Sequence, residues 1–136
     1  MDKAVNNNGP NLTFSGRIRS IGCACKGIHT MVRSQHNARA HAAATILAVT
    51  AGFFFRLRAN EWCRITLAIV SVWTAETLNT AFEFLTDVAS PEFHPLAGKA
   101  KDVAAGAVPI SAAGAVVIGL LVFGPKALVL FQGKNL

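Results

Sequence analysis

Residues 75–87 read AETLNTAFEFLTD, and within them Glu76, Asn79, Glu83 and Asp87 recur at steps of three and four. At about 100° per residue in an α-helix, Asn79, Thr80, Glu83 and Asp87 all lie within roughly 60° of the direction of Glu76. Three carboxylates and an amide therefore share one helix face, while Ala75, Leu78, Phe82 and Leu85 point elsewhere, to lipid or protein. Hard cations such as Mg²⁺ take oxygen ligands, usually one or two carboxylates completed by phosphate oxygens. Glu83 with a partner suits that role, and Glu76, one or two turns deeper, is placed to meet a hydroxyl group. The same face is also compatible with structural hydrogen bonds to neighbouring helices, with a cation or proton path, or with an assembly interface.

A second polar group follows in GKAKDVAAGAV, residues 98–108. Lys101 beside Asp102 at a helix start reads either as an interfacial anchor, since lysine snorkels readily, or as a charge that neutralises phosphate while Asp102 contacts another part of a nucleotide. Phosphoryl transfer depends mainly on such positioning and charge stabilisation. Ala104, Ala105, Gly106 and Ala107 are small enough to permit close helix approach.

The elements that must carry these residues are set by composition. Of 136 residues, 52% are hydrophobic and 15% charged, and the mean hydropathy is +0.42, which is far from soluble usage. Residues 103–123, VAAGAVPISAAGAVVIGLLVF, carry no charge and are long enough for a hydrocarbon core of roughly 30 Å. Residues 38–55 and 62–87 supply two further candidate crossings, the second interrupted by the acidic face. A cleaved signal peptide competes for the first apolar run, but no soluble domain follows it and no small-residue cleavage pattern closes it. Cys23, Cys25 and Cys63 form no metal or redox spacing and read as small apolar packing residues.

The net charge of +6 is scattered among apolar residues without an aromatic platform, which argues against nucleic acid and for anionic lipid headgroups. Lys3, Arg17, Arg19, Lys26, Arg33, Arg39, Lys99 and Lys101 fall on one side of the crossings, and Arg56, Arg58, Arg64, Lys126 and Lys134 on the other. The excess places the N-terminus in the cytoplasm and the C-terminus outside. The acidic face then occupies the cytoplasmic half of the second crossing, where ATP is available.

Residues 1–11 read as a flexible lead-in. From 12 to 35, Phe14, Ile18, Ile21, Cys25, Ile28 and Val32 line one helical face with most basic residues off it, the pattern of an amphipathic helix on a membrane surface. SQHNARAH, 34–41, joins it to the first crossing; RLRANEW, 56–62, is a short charged connection; and SPEFHPLAGKAKD, 90–102, is expected to begin as a loop and turn helical near Gly98. His41 falls near the cytoplasmic end of the first crossing, where it faces either the site or a satisfied interhelical hydrogen bond.

ETLNTAFEFLTD and HPLAGKAKDVAAGAV, with the interval between them and a weaker echo at Lys26-Gly27, resemble the small integral-membrane lipid kinases of bacteria, the diacylglycerol and undecaprenol kinase family. The resemblance spans residues 12–123. It implies an all-α membrane protein with three transmembrane helices plus an N-terminal amphipathic surface helix, homotrimeric in the bacterial cytoplasmic membrane, with active sites facing the cytoplasm between protomers. It implies ATP as phosphoryl donor, Mg²⁺ with it, and a membrane lipid hydroxyl as acceptor, diacylglycerol or undecaprenol. Residue by residue, it makes Glu76 the general base and Asn79 its positioning partner. Glu83 becomes a ligand of the Mg²⁺ that accompanies ATP, Lys101 a ligand of the β and γ phosphates, and Asp102 and His94 neighbours of the nucleotide. Where many members carry a second metal-binding glutamate this chain has Gln35, whose neutral amide offers a carbonyl oxygen with less charge. An aromatic residue common in the surface helix is replaced by Cys23, and NARAH is closer to the undecaprenol branch. No Walker motif is present, as expected of that family.

Overall fold

The computed structural model describes residues 14–92 and 94–132; the lead-in at 1–11 lies outside them. The described chain is all α-helical, with α1 at Phe14–Ser34, α2 at His36–Phe54, α3 at Ala59–Ala89 and α4 at Pro95–Gln132. Helices α3 and α4 are long and apolar enough to cross a membrane. α2 is not among them, because HNARAH at its start lowers its apolar character; the sequence had suggested three such segments.

Successive helices from α2 onward run antiparallel. Gln35, Thr45 and Gly52 oppose Glu83, Trp73 and Trp62, while Asp87 and Glu61 of α3 pair with Lys101 and Lys126 of α4. These two ion pairs are 26 residues apart along α3, about 39 Å at 1.5 Å per residue. That exceeds a hydrocarbon thickness of roughly 30 Å, so both pairs are placed where headgroups and water can solvate them.

The turn between α2 and α3 is fixed from both sides. Phe55 and Leu57 donate their backbone N–H groups to Ala51 and Gly52 at 2.8 and 3.0 Å, closing the end of α2. Arg56 adopts a left-handed φ of 50°, which directs Leu57 back into the core. At the start of α3, the Arg58 backbone N–H donates to Glu61 Oε2 at 2.7 Å, one half of a capping box. Gly52 lies against the Trp62 indole so closely that a Cβ would fall 2.6 Å from a ring carbon; only glycine fits there. Leu57, Ile65 and Val122 form the packed core at this end, flanked by Phe55, Trp62 and Phe123.

At the other end, α4 becomes helical at Pro95, earlier than Gly98. Proline at the first helical position lacks only an N–H that would have no intrahelical acceptor. The helix also runs past residue 123 to Gln132, despite Pro109 and Pro125 within it.

The four small residues 104–107 lie on α4, the helix packed most closely on α3, and are only partly covered within the protomer. Ala105 and Ala107 are exposed in the protomer, and a Cβ on Gly106 would meet nothing within 4 Å; Val108 is the buried residue there. The cysteines depart from expectation too, since Cys23, Cys25 and Cys63 are all exposed and do not pack within the protomer. On α1, Phe14, Ile18, Ile21 and Ile28 are exposed, and Met31 is the buried residue.

Candidate functional site

Helix α3 buries Ile65, Ala68, Val72, Ala75, Glu76, Asn79 and Thr80. Those residues follow the three-and-four spacing of one helical face, so the apolar face that packs in the first half of the helix continues as the polar face of the second. Ala75 therefore points inward with the acidic stripe, whereas Leu78, Phe82 and Leu85 are exposed. The register of α2 against this face is set by Trp73, whose Nε1–H donates to Thr45 Oγ1 at 3.1 Å, while that hydroxyl donates to the carbonyl of His41 at 2.7 Å. Ala38 of α2 is fully buried, as close approach requires.

Glu76 is fully buried. Its carbonyl accepts from the Thr80 hydroxyl at 3.0 Å, but neither carboxylate oxygen has a hydrogen-bond partner. His41 Nε2 lies 3.9 Å from Glu76 Oε2, beyond hydrogen-bonding reach, and is also without a partner. Asn79 Oδ1 is the fourth such atom. Among the described residues, every buried side-chain polar atom without a hydrogen-bond partner thus belongs to this one cluster. Native interiors satisfy nearly all their polar groups, so these four orphans make the cluster the candidate place to receive polar atoms from outside the chain.

One turn on, Glu83 is held differently. Its Oε1 accepts from Asn79 Nδ2 at 3.0 Å and its Oε2 from Gln35 Nε2. Gln35, singled out because a glutamate was expected there, thus touches the carboxylate with which it was expected to share a metal. Asp87 accepts from Lys101 Nζ at 2.8 Å, which ties the second polar cluster to the acidic stripe across the α3–α4 turn; both side chains are accessible. Asp102 is exposed and makes no contact with the cluster that the structure identifies. His94 acts as the cap of α4: its Nδ1 accepts from the Leu96 N–H at 3.2 Å and its carbonyl from the Gly98 N–H at 3.1 Å. Among the described residues, no three His, Cys, Asp or Glu side chains converge as a metal-binding set.

The structure therefore brings Gln35, His41, Glu76, Asn79 and Glu83 to the α2–α3 contact and sets Lys101 beside Asp87 at its edge. His41 was the residue that sequence reasoning left open. Its signal was its position, six residues after Gln35 in a helix antiparallel to the one carrying Glu76.

A model of the prokaryotic diacylglycerol kinase family matches residues 22–123, a stretch that contains both polar clusters and all five converging residues. The chain belongs to the prokaryotic diacylglycerol kinase family. It is an ATP-dependent lipid kinase of the prokaryotic membrane. The kinase is 41% identical to the undecaprenol kinase of Bacillus subtilis (strain 168) over 80% of its own length and 89% of that protein. It is 35% identical to a diacylglycerol kinase of Synechocystis over 81% of its length and 61% of that protein. It is 29% identical to the diacylglycerol kinase of Escherichia coli (strain K12) over 76% and 85%.

Proposed function

We propose that the kinase transfers the γ-phosphoryl group of ATP to the primary hydroxyl of a membrane lipid with undecaprenol preferred over diacylglycerol. The observation that carries the chemistry is the buried, unpartnered carboxylate of Glu76. An ionised group at membrane depth costs several kcal/mol unless it is paired, hydrated or protonated. Retaining one without a partner makes sense if a substrate hydroxyl supplies the missing contact. In this reading Glu76 accepts the hydroxyl proton as the oxygen–phosphorus bond forms, and the bond to the β-phosphate oxygen breaks, leaving its electron pair on ADP. Asn79 positions the hydroxyl through its unpartnered carbonyl oxygen. Lys101 binds the β and γ phosphates, exchanging its accessible contact with Asp87 for them, while Asp102 and His94 lie around the nucleotide.

The donor set fits Mg²⁺. Glu83 gives one carboxylate and Gln35 a carbonyl oxygen after rotation of its amide, in keeping with an ion held by one or two protein ligands plus substrate phosphates. When bound with ATP, the ion would neutralise phosphate charge. The preference for undecaprenol rests on the relative at 41% identity, which bears that activity in its name.

A membrane embedding with α2 as a third crossing supports the same reading. Its 19 residues extend about 28 Å at 1.5 Å per residue, and it packs antiparallel to α3. The protomer leaves Phe14, Ile18, Ile21 and Ile28 of α1 uncovered, a face suited to the bilayer surface, and assembly is as a homotrimer. The polar clusters face the cytoplasm of a bacterial inner membrane, given eight basic residues on that side against five.

The test is a competition. Purified protein in detergent micelles, given labelled ATP, Mg²⁺ and equal mole fractions of the two lipids, should label undecaprenol in excess of diacylglycerol. Preferential labelling of diacylglycerol would reverse the preference.

A further inference from the structure

Phosphorylating an alcohol leaves the general base carrying a proton that must leave before the next turnover. At Glu76 the exits are few. Its side chain is 1% exposed, so direct release to water is closed. Towards Glu83 the next polar group is Asn79, an amide without a titratable proton. Towards α2 it is His41, whose Nε2 is 3.9 Å away and whose side chain is 17% exposed.

We propose that His41 is the proton relay of this kinase, returning the proton of Glu76 to water between turnovers; the proposal rests on Glu76 acting as the base. Four observations support it. His41 Nε2 and both Glu76 oxygens are buried atoms with no partner, so neither side chain is held in a competing hydrogen bond. An oxygen at about 2.8 Å from both facing atoms would subtend an angle of about 90° between them, so one water or hydroxyl can bridge the pair. Exposure rises from 1% at Glu76 to 17% at His41, so His41 is the nearer of the two to the protomer surface. The α2 backbone at His41 is also fixed, by the bond from Thr45 to the His41 carbonyl and by that of Trp73 to Thr45, so His41 and Glu76 meet across a helix contact of set register.

His41 also stands at the polar end of a cavity of about 530 Å³ between α2, α3 and α4, whose walls are otherwise Ala, Val, Ile, Leu, Phe and Gly apart from Thr45.

The step balances. After phosphorylated lipid departs, protonated Glu76 gives its proton to the bridging water, which passes one to His41 Nε2; the imidazolium then loses the proton at Nδ1 to the aqueous side, leaving the other tautomer. Rotation or re-exchange restores the start. No oxidant or further reactant is involved.

The titratable groups facing His41 from α3 are Glu76 and, two turns on, Glu83. The cavity wall that α4 contributes, including Ala112, Ala115 and Val116, carries none. On α2, the nearest ionisable side chains, His36 and Arg39, are exposed. Helix α1 buries only the apolar Met31.

The test uses the full chain in lipid-containing micelles. His41→Gln, which keeps size and polarity, should lower kcat on the order of tenfold or more and leave KM for ATP and lipid within about twofold. His41→Ala should be inactive to a similar degree, with free imidazole restoring turnover in a concentration-dependent way. Full kcat in His41→Gln would overturn the proposal. So would a loss that imidazole fails to restore together with a lowered unfolding midpoint, which would assign His41 to packing. If Glu76→Gln itself turns over normally, the reading of Glu76 as base fails; an inactive Glu76→Gln beside a fully active His41→Gln fails the relay alone.

Discussion

Glu61 and Glu76 are fifteen residues apart on one helix, about 22 Å at 1.5 Å per residue, and the fold treats them in opposite ways. Glu61 Oε2 accepts from the Arg58 backbone N–H at 2.7 Å and lies 3.2 Å from Lys126 Nζ. It caps α3 and ties it to α4. Glu76 is buried with neither oxygen satisfied. Around Glu61 the bundle is closed by Leu57, Ile65, Val122 and a set of aromatic rings, including Phe53 against Trp62 and Phe55 against Phe123. Around Glu76 the facing atoms wait for partners. One end of the bundle thus contributes stability, and the other gives some of it up by burying an unpartnered carboxylate.

The largest expected effect separates the two glutamates directly. Glu76→Gln should lower kcat by about 10²–10⁴, the usual contribution of a positioned base. It should not lower the thermal unfolding midpoint, because it removes an unpaired buried charge. Glu61→Gln should do the reverse, lowering the unfolding midpoint through its weakened cap and leaving kcat within about twofold. Equal losses of turnover in both variants would break the division.

A stability probe sharpens the packed end. Leu57 is 8% exposed within the core cluster, so Leu57→Ala should cost about 2–5 kcal/mol, measured as loss of folded protein on titration with denaturing detergent. KM for ATP should stay put. A matching rise in KM would mean that the ends are mechanically coupled and not merely different.

Much of this contrast was legible before any coordinates. The steps between Glu76, Asn79 and Glu83 place all three on one face, because helical geometry needs only spacing. The capping role of Glu61 was not read, since it depends on where α3 starts, and charge at Arg58 is an unusual preface to a helix. His41 was recognised as a polar residue near the site, but its distance to Glu76 comes from the register between two helices. That register is set by small and bridging residues, Ala38, Thr45, Trp73 and Gly52, which carry no chemical signature. The small-residue run at 104–107 has a related limit, because composition permits close approach without specifying which helix is approached.

Gln35 offers a smaller effect on the reactive end. Its amide donates to Glu83, so Gln35→Glu exchanges a donor for a second carboxylate. The Mg²⁺ concentration for half-maximal turnover should fall on the order of tenfold, as added ligand charge favours a hard cation. Without Mg²⁺ the two carboxylates repel, so the variant should unfold at lower temperature in chelator than the parent does. An unchanged Mg²⁺ requirement would remove Gln35 and its neighbour Glu83 from a shared metal site.

The smallest effect compares the two lysines that join α4 to α3. Lys126 pairs with Glu61 and Lys101 with Asp87, at opposite ends of the helix hairpin. Both pairs are accessible enough for solvent to screen their charge, so neither should contribute much to stability. Lys126→Met should then lower the unfolding midpoint only slightly, less so at high salt, because Glu61 keeps its bond to the Arg58 backbone. It should leave KM for ATP unchanged. Lys101→Met should perturb stability equally little yet raise KM for ATP and lower kcat if its ammonium offsets phosphate charge as proposed. The two substitutions remove the same charge from the same helix, so any difference in ATP dependence measures position alone. Equal effects on KM would show that the kinase attracts nucleotide by its overall basic charge, and the functional asymmetry between the ends would not extend to α4.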